Sequence, residues 1–419
     1  MVAAAFGGLT MAEDRPTAAP APLHIGLLWH TFKSENLGVG ALTLANMNLI
    51  AAAVEAAGRK PVFHLMGSRG QVDYSAEAAY PNDFVNVGYK ALANPTSDLH
   101  RTMARCDIVF DIGSGDSFSD IYSWGRYGMM LISKLVVKAR QAPLVLSPQT
   151  IGPFSSRRAQ WAARGVLAFA QHIFARDETS YRLLGEMGLG GKSSLTSDVA
   201  FALPYDRPVD KDGRDLAGGR TIKVGLNVSA LMYRRDLASA AGDKIKLTVD
   251  YPALIDAVLD RLTGDPRFEV HFVPHVLASF LAHEDDYAAS EGLRERYPQV
   301  ILPPRFAGPS QAKTYIANLD LLMGSRMHAT IAAISSDTAV VPLGYSRKFS
   351  GLFDSIGYGW NVDMTSTTNA AAMAKVEEAL ADLPQVRSDA IAANAEARRR
   401  LESYRAFLDQ AIGQVAAHA

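Results

Sequence analysis

The chain has 419 residues and few of the features that assign a protein to a class by composition alone. It contains a single cysteine, Cys106, so an internal disulfide is excluded and a reducing compartment fits. Its 42 basic and 43 acidic residues give a formal net charge of -1. This balance excludes an overall field that recruits nucleic acid or an anionic membrane. Any anionic ligand must therefore be held by local charges.

Long hydrophobic runs are also missing. Lys134, Lys138 and Arg140 interrupt the most apolar window, so no stretch approaches the roughly 18 residues that a membrane-spanning helix needs. Residues 1–22 are rich in Ala and Pro, lack a basic start, and hold an apolar stretch at 2–9 that is short and broken by glycine. This is not the pattern of a secretory signal. We expect a disordered tail and a cytoplasmic protein. Whether the protein lies at the inner face of the membrane is left open.

A regular alternation of strand and helix patterns runs from residue 23 onward. Hydrophobic residues make up 48% of the chain, which is enough for two cores. Short β-branched runs alternate with longer amphipathic stretches, as in parallel strands joined by helices. Predicted strands lie at 23–29, 61–65, 107–112, 144–147 and 172–175, and again at 222–228, 270–273, 300–302, 319–323 and 340–343.

Between these two sets, the run 205–220 loses periodicity and carries Pro, Gly and charges, which is typical of an interdomain linker. We therefore predict an α/β protein in which two Rossmann-like domains face a central cleft. The predicted segments are a tail at 1–22, a first domain at 23–204, a linker at 205–220, a second domain at 221–366, and C-terminal helices at 367–419 that pack across the domain junction.

Ligands of parallel α/β domains bind at the carboxyl ends of strands, so polar residues that follow strands are the candidates. Asn36 and Gly38 open the first long helix, where free amides suit an anion or a sugar hydroxyl, although helix capping explains them equally well. Gly115 and Asp116 follow the third strand, and Asp116 either holds sugar hydroxyls or caps the next helix. Arg176 closes the fifth strand, where a ligand or an interdomain salt bridge would explain it.

The second domain carries the sharpest pattern. Arg326 and His328 stand between a strand and a helix of small residues, so a guanidinium, an imidazole and a helix N-terminus converge. This combination holds a phosphate or a carboxylate with an acid beside it. A structural explanation must account for two polar side chains before a buried helix. Lys348 enters the next helix, and His275 stands at another strand exit, where structural and functional roles are both open.

The order of these motifs resembles the polysaccharide pyruvyl transferase family from about residue 25 to 360. The shared pieces are an Asn-x-Gly, a Gly-rich turn after an Asp-led strand, Ile-Gly-Pro, Ala-Arg-Asp-x-x-Ser, Arg-x-His-Ala, and a final Pro, Tyr and Lys. They fall at 36–38, 113–116, 151–153, 175–180, 326–329 and 342–348. Ser114 stands where the family often has Gly, and Val39 where an acidic residue is common.

The resemblance implies a fold similar to the glycosyltransferase B type, with phosphoenolpyruvate as donor and no metal or other cofactor. The implied acceptor is a sugar of a polysaccharide or lipid-linked glycan precursor, which gains a pyruvate ketal as phosphate is released. Carried over by position, Arg326 and His328 match the family's donor-binding and catalytic pair. The predicted donor-binding residues are Arg234, Ser325, Arg326, Met327, His328, Tyr345 and Lys348. The predicted acceptor-binding residues are Asn36, Gly38, Gly115, Asp116, Arg176 and His275.

The residue types agree with this chemistry. Phosphoenolpyruvate carries a phosphate and a carboxylate, which Arg326 and Lys348 can clamp without a metal. His328 is the expected donor of a proton to the methylene carbon, because an imidazole gives and regains a proton near neutral pH. Asp116 or His275 is the expected acceptor of the sugar hydroxyl's proton.

Two other functions use the same residues. A glycosyltransferase with a nucleotide-sugar donor needs the same cationic helix ends, although no Glu follows the Arg-x-His pair to bind a ribose. A non-catalytic carbohydrate-binding protein would keep the fold without releasing phosphate. We expect no nucleic-acid partner, and both self-association and peripheral contact with a membrane stay open.

Overall fold

Two parallel sheets organise the described part of the chain. The computed structural model describes residues 20–116, 118–216, 219–234, 246–281 and 283–418, apart from the side chains at 347 and 348. The predicted tail at 1–22 lies almost wholly outside these residues. Every strand pair within the two sheets is parallel, and the predicted α/β class with two Rossmann-like domains is confirmed.

The first domain is built on seven strands in the order β3-β2-β1-β4-β5-β6-β7. The strands are β1 Leu23–Leu28, β2 Pro61–Gly67, β3 Asn82–Asn86, β4 Ile108–Asp111, β5 Leu144–Gln149, β6 His172–Ala175 and β7 Ser193–Leu195. The helices are α1 Leu37–Ala56, α2 Tyr89–Ala93, α3 Asp98–Arg105, α4 Trp124–Ala139, α5 Arg157–Leu167 and α6 Glu178–Glu186. The chain order reverses direction beside β1, which creates a crevice at the carboxyl ends of β1 and β4.

The second domain is built on five strands in the order β12-β11-β10-β8-β9. The strands are β8 Ile222–Asn227, β9 Phe268–Phe272, β10 Leu321–Gly324, β11 Ala339–Gly344 and β12 Val362–Asp363. The helices are α7 Ala230–Tyr233, α8 Tyr251–Thr263, α9 Asp286–Arg296, α10 Pro309–Ala317, α11 Met327–Ser335, α12 Arg347–Ser355, α13 Asn369–Ala381 and α14 Leu383–His418.

Side chains at the helix starts explain why several helices begin where they do. An oxygen of each of these capping residues accepts a hydrogen bond from an amide of the first turn, which satisfies a group that has no partner inside the helix. The capping residues of α1, α3, α4, α5, α6, α8, α9 and α13 are Asn36, Ser97, Ser123, Ser156, Asp177, Asp250, Asp285 and Thr368. Ser123 rather than Asp116 therefore caps α4, which removes capping of that helix as an explanation for Asp116.

The predicted and observed elements differ mainly at sheet edges. β3 was not predicted, because its half-exposed sequence contains two Asn and one Asp, which strands generally disfavour. β7 and β12 are only three and two residues long. The run 300–302 was predicted as a strand, but only Ile301 pairs there, in an isolated bridge with His271. A short apolar run therefore did not separate true strands at the sheet edges from an isolated bridge such as the one at Ile301.

Two helices link the domains through their packing. The expectation that no stretch has the length and hydropathy of a membrane span is wrong for α1, the single such case among the described helices, and most of α1 is buried inside the protein. The final helix α14 contacts α1 of the first domain and β11 of the second. Within it, the Tyr404 hydroxyl donates to Asn46 at 2.7 Å and lies 3.0 Å from the Ser147 hydroxyl. One buried hydrogen-bond network thus ties α14 to the first domain.

Lys211 anchors the segment that joins the two sheets. Its side chain is 2% exposed, and its ammonium donates to Ala317 O at 2.7 Å, Leu319 O at 3.0 Å and Thr338 Oγ1 at 2.7 Å. Burial lowers the pKa of Lys211 to about 7. Arg387 of α14 donates to the backbone oxygen of Lys211. The segment at 205–216 is therefore bonded to the second domain and to α14.

We predict that Lys211→Met destabilises the protein by about 2–4 kcal/mol, because buried acceptors lose their donor and cannot reach water. The measurement is the midpoint of thermal unfolding by scanning calorimetry. Lys223→Met is the matched control, since that side chain is 47% exposed and should change stability by less than about 0.5 kcal/mol. Equal midpoints for the two variants would contradict the assigned role.

Candidate active site

The cleft between the sheets is closed at one point by backbone pairing. Asn36 and Val276 form an antiparallel bridge. Leu37 N donates to His275 O at 3.1 Å, and Leu277 N donates to Glu35 O at 2.8 Å. The loop before α1 in the first domain is therefore joined to the loop after β9 in the second. This pairing sets the distance between the residues on the two walls.

Asp286 organises the wall formed by the second domain. The side chain is fully buried, at the first position of α9. Its Oδ1 accepts from Ala230 N at 2.9 Å and from Arg326 NH2 at 2.7 Å. Its Oδ2 accepts from Val276 N at 3.0 Å and from Arg326 Nε at 3.1 Å. The carboxylate thus holds the Arg326 guanidinium in a bidentate pair and fixes the loop after β9.

Arg326 stands directly before α11, with its side chain 12% exposed. Its backbone N–H donates to Asn227 Oδ1 at 2.7 Å, so β8 fixes the position of the turn. Burial would lower the pKa of Arg326, but the charge of Asp286 and the hydrogen bonds to it outweigh burial and raise the pKa. Tyr345 lies close enough to the same guanidinium for its pKa to be influenced by the positive charge. Arg326 therefore stays charged, with one edge held by Asp286.

His328 lies on the first turn of α11 and crosses to the first domain. A Cβ added to Gly38 would lie 2.4 Å from His328 Nδ1, so the ring packs directly against the start of α1. Its Nε2 lies 3.9 Å from Asp198 Oδ2 and is buried without a hydrogen-bond partner. Burial lowers the pKa of His328, Arg176 adds to the effect, and Asp198 and Asp116 oppose it. The imidazole is therefore neutral at pH 7.

His275 is the least satisfied polar side chain of the cleft. It is 2% exposed, and neither ring nitrogen has a hydrogen-bond partner. Burial lowers the pKa of His275 to about 3, with His328 and Arg326 adding to the effect. An orphaned buried imidazole costs free energy, so two unpaired nitrogens beside Arg326 and His328 mark a place where a polar ligand group would be stabilised.

The first domain contributes a tight turn after β4. Gly113, Ser114 and Gly115 have φ values of 53°, 51° and 87°, in the left-handed region that disfavours side chains. A Cβ on Gly115 would also lie 2.7 Å from Leu42 Cδ1. Ser114 adopts this conformation despite its side chain. The turn presents Asp116, whose carboxylate accepts from the Tyr122 hydroxyl at 2.6 Å.

Arg176 lies behind this turn in a buried network. Its guanidinium is 3% exposed and donates to Asp198 Oδ2 at 2.6 Å, and its Nε donates to Thr150 Oγ1 at 2.9 Å. Asp198 belongs to the same domain, so the predicted interdomain salt bridge of Arg176 is an intradomain one. Because Asp198 also faces His328, the network reaches the second domain through a carboxylate.

The remaining predicted donor residues have different surroundings. The Ser325 hydroxyl is buried and lies 2.7 Å from the Tyr251 hydroxyl, so it faces the core. Met327 is half-buried at the first position of α11. Arg234 is half-buried at the end of α7, and the segment that follows it lies outside the described residues. The Lys348 side chain is also outside them, so its donor-binding role stays a prediction.

The structure thus brings together Gly38, Asp116, Arg176, His275, Arg326, His328 and Tyr345 around one interdomain cleft. Asp198 and Asp286 were not among the predicted site residues, although both shape this site. Asp286 stands at a helix start, where a carboxylate is common, so its spacing carries no separate signal. Among the described residues, no group of three or more His, Cys, Asp or Glu is arranged to hold a metal ion.

Comparison with known proteins gives matches across most of the chain. The family model for polysaccharide pyruvyl transferase matches residues 53–347. The amylovoran biosynthesis protein AmsJ of Erwinia amylovora is 22% identical over 297 residues, which cover 67% of this chain and 67% of AmsJ.

Solved structures share the two-domain architecture. Anabaena HepE in complex with UDP-glucose has a TM-score of 0.56 at 14% identity, over 95% of this chain and 100% of that chain. The UDP-GlcNAc 2-epimerase of Neisseria meningitidis has a TM-score of 0.55 at 9% identity, over 95% and 100%. Acinetobacter baumannii MurG has a TM-score of 0.51 at 11% identity, over 93% and 100%. These likenesses show the predicted glycosyltransferase B-like fold.

The region matched by the family model spans both domains of the cleft. It includes Arg326, His328 and the turn before Asp116. This chain belongs to the polysaccharide pyruvyl transferase family, and it is a transferase of polysaccharide biosynthesis.

Proposed function

We propose that the protein transfers the enolpyruvyl group of phosphoenolpyruvate onto a sugar of a polysaccharide or a lipid-linked glycan precursor, forming a pyruvate ketal and releasing phosphate. The observation that carries the proposal lies at the start of α11, where Arg326 is paired with Asp286 and stands beside His328, whose side chain is 16% exposed. Burial lowers the pKa of His328. A small donor with two anionic groups and a carbon to be protonated matches this arginine and histidine. Family membership supports the same reaction class.

The donor site in this proposal is the second-domain wall. Asp286 holds one edge of the Arg326 guanidinium, which leaves the other edge for an anion and keeps the side chain in place. The first amides of α11 have no partner inside the helix and add positive potential. Tyr345 and Met327 border the same place. Arg234 and Lys348 are also proposed to bind the donor, because their positive charges would attract its phosphate and carboxylate.

The proposed reaction conserves atoms and protons as follows. A proton passes to C3 of the donor, so the methylene becomes a methyl group and C2 becomes an oxocarbenium-like centre. A sugar hydroxyl bonds to C2, the C2–O bond to phosphate breaks, and phosphate leaves with its bonding electrons. A second hydroxyl bonds to C2 and closes the ketal. The two hydroxyl protons replace the proton given to C3 and neutralise the departing phosphate.

His328 is the proposed proton carrier. Its pKa is lowered in the free protein because of burial, so the resting imidazole is neutral. Donor binding adds a phosphate and a carboxylate beside it, and a nearby negative charge raises the pKa of an imidazole. The donor complex would therefore take up a proton, which His328 delivers to C3 and regains from the attacking hydroxyl.

The acceptor site in this proposal is the first-domain wall. Asp116 is placed by the rigid turn at 113–115 and can accept hydrogen bonds from sugar hydroxyls. Its negative charge acts to raise the pKa values of His328, Arg176 and Tyr345, so Asp116 borders the donor site. Asn36 caps α1 beside the backbone bridge, and His275 offers two unpaired nitrogens. Arg176 acts here by holding Asp198.

The direct test mixes the purified protein with phosphoenolpyruvate and a panel of sugar acceptors, and measures phosphate release. Release that depends on an acceptor supports the proposal. UDP-glucose forms the competing arm, because the structurally similar HepE was solved with it. Turnover of a nucleotide sugar, with no phosphate released from phosphoenolpyruvate, would replace the proposal with a glycosyltransferase. Binding of sugars without turnover of either donor would indicate a carbohydrate-binding protein.

We predict that His328→Ala lowers kcat by about 10²–10⁴-fold, the usual contribution of a positioned general acid. Phosphoenolpyruvate affinity should change far less, because Arg326 carries most of the anion binding. Steady-state kinetics and calorimetry of donor binding separate the two effects. Comparable losses in turnover and affinity would mean that His328 is only a ligand.

We predict that donor binding takes up a proton near pH 7. The pKa of His328 lies below 6.5 in the free protein and rises in the complex, so uptake is largest between the two values. It disappears above the higher value and below the lower one. Calorimetry in buffers of different ionisation enthalpy measures the number of protons, with His328→Gln as the reference. Identical proton uptake in both proteins would contradict the proposal.

We predict that Gly38→Ala lowers kcat by about tenfold or more, because the new methyl group overlaps His328 Nδ1 and displaces the ring. The fold should persist. Gly185→Ala in α6 is the matched control, since nothing lies within 4 Å of a Cβ there, and its kcat should equal that of the unmodified protein. Unchanged turnover in Gly38→Ala would show that the position of His328 does not matter.

A further inference from the structure

Several large hydrophobic side chains are exposed along α4, on α5 and directly after α5. Surface helices normally bury one apolar face and expose a polar one. Here Trp124 is 62% exposed, Leu135 46%, Trp161 69% and Phe169 41%. Seven of the fourteen large hydrophobic side chains that are exposed in the described residues fall between positions 121 and 169. We call this surface the α4–α5 face and define it by Trp124, Ile132, Leu135, Trp161 and Phe169.

The α4–α5 face is separate from the core. The opposite sides of the two helices, including Tyr127, Val137, Ala163 and Leu167, are buried in the core of the first domain. The exposed residues of α4 recur at helical spacing, so they form one stripe along its outer side. α4 and α5 contact each other, and Lys138 near the end of α4 lies 5.6 Å from the ring centroid of Phe169, which follows α5, so the two helices are neighbours. The face therefore has no intramolecular reason to be apolar.

Basic residues predominate along the segment that forms this face. No acidic residue occurs between Asp120 and Asp177, whereas eight basic residues lie in that interval. Lys134 and Arg176 are buried in ion pairs. The other six are Arg126, Lys138, Arg140, Arg157, Arg158 and Arg164. The Lys138 ammonium lies 5.6 Å from the Phe169 ring centroid, so cations and aromatic rings are interleaved. Glu186 of α6 adjoins the edge of the face beside Trp161.

The face continues into the acceptor side of the cleft. Tyr122 is 43% exposed and donates to Asp116, and α4 begins two residues later with Trp124. Tyr89 of α2, 54% exposed, approaches the start of α4, because a Cβ on Gly125 would lie 2.7 Å from its hydroxyl. An object seated on the α4–α5 face would therefore border the residues proposed to bind the acceptor.

We propose that the α4–α5 face docks onto an anionic lipid bilayer, and, resting on the proposed function, that this brings a lipid-linked acceptor to the cleft. Tryptophan and phenylalanine settle at the boundary between headgroups and acyl chains. Arginine and lysine beside them are attracted to anionic headgroups at close range. The nearly neutral whole chain does not oppose this, because the attraction comes from charges within a Debye length of the surface.

A second copy of the chain fits this surface less well. A symmetric dimer through the α4–α5 face would place the same basic residues of both copies opposite each other. Like charges across an interface disfavour association. An anionic bilayer has the complementary sign.

The experiment is co-flotation of the full chain with vesicles of phosphatidylcholine alone and of phosphatidylcholine mixed with phosphatidylglycerol. The expected result is binding to the mixed vesicles that weakens as salt is raised, and little binding to phosphatidylcholine alone. No binding to the mixed vesicles, or equal binding to both kinds, would overturn the proposal.

Two variants assign the binding to this face. Arg157→Gln with Arg158→Gln should weaken partitioning into the mixed vesicles roughly thirtyfold, at the usual contribution per cation near a charged surface. Trp124→Ser with Trp161→Ser should weaken it by about tenfold or more. The control combines Ile391→Ser and Arg399→Gln, which are 44% and 72% exposed on α14, and should bind as the unmodified protein does. Equal binding by all three variants would overturn the proposal.

Two further measurements separate this proposal from its alternatives. With a soluble aryl glycoside as acceptor, the face variants should release phosphate at the unmodified rate, so loss of docking and loss of the proposed function are distinguishable. Analytical ultracentrifugation reports self-association. A dimer that the tryptophan variant dissociates, without any binding to vesicles, would assign the face to a second copy and refute lipid docking.

Discussion

The bidentate pair between Asp286 and Arg326 is the interaction on which the cleft depends. One buried carboxylate holds the guanidinium and, at the same time, accepts from backbone amides of Ala230 and Val276. Removing it would leave a buried cation and two loops without partners, and the loss of one member of such a pair generally costs about 3–5 kcal/mol. The arrangement fixes Arg326 before any ligand arrives, so little ordering is needed on binding.

The position of His328 follows from the same construction. The loop held by Asp286 pairs with the loop before α1 through Asn36 and Val276, and this pairing brings Gly38 against the imidazole. A larger residue at position 38 could not coexist with the ring in this place. His275 lies in the same loop with two unpaired nitrogens. His328 and His275 thus lie together at one interdomain contact, beside the arginine that Asp286 holds.

Local sequence patterns predicted the fold class and the family motifs. The contacts that hold the site together join residues far apart in the sequence, and no local pattern predicted them. The strand that precedes Arg326 was predicted within two residues, and a helix was predicted to follow it, because both segments are apolar. The family was identified from short motifs in order, and the family model confirms it. Asp286 was not singled out, because its partners lie 40 residues away at Arg326 and no spacing rule connects them. Asp198 was not singled out either. Its Oδ1 accepts from Ala200 N at the start of a short 3-10 helix, while its Oδ2 meets Arg176 and His328.

The most direct test of the account is the product formed from phosphoenolpyruvate and an acceptor sugar in deuterated water, analysed by mass spectrometry and NMR. The proposed reaction gives a cyclic pyruvate ketal whose methyl group carries one solvent deuterium, formed in step with phosphate release. Ketal formation would require both the donor clamp around Arg326 and a proton delivered to C3. A product that contains an added sugar, or donor consumption without any ketal, would contradict the account.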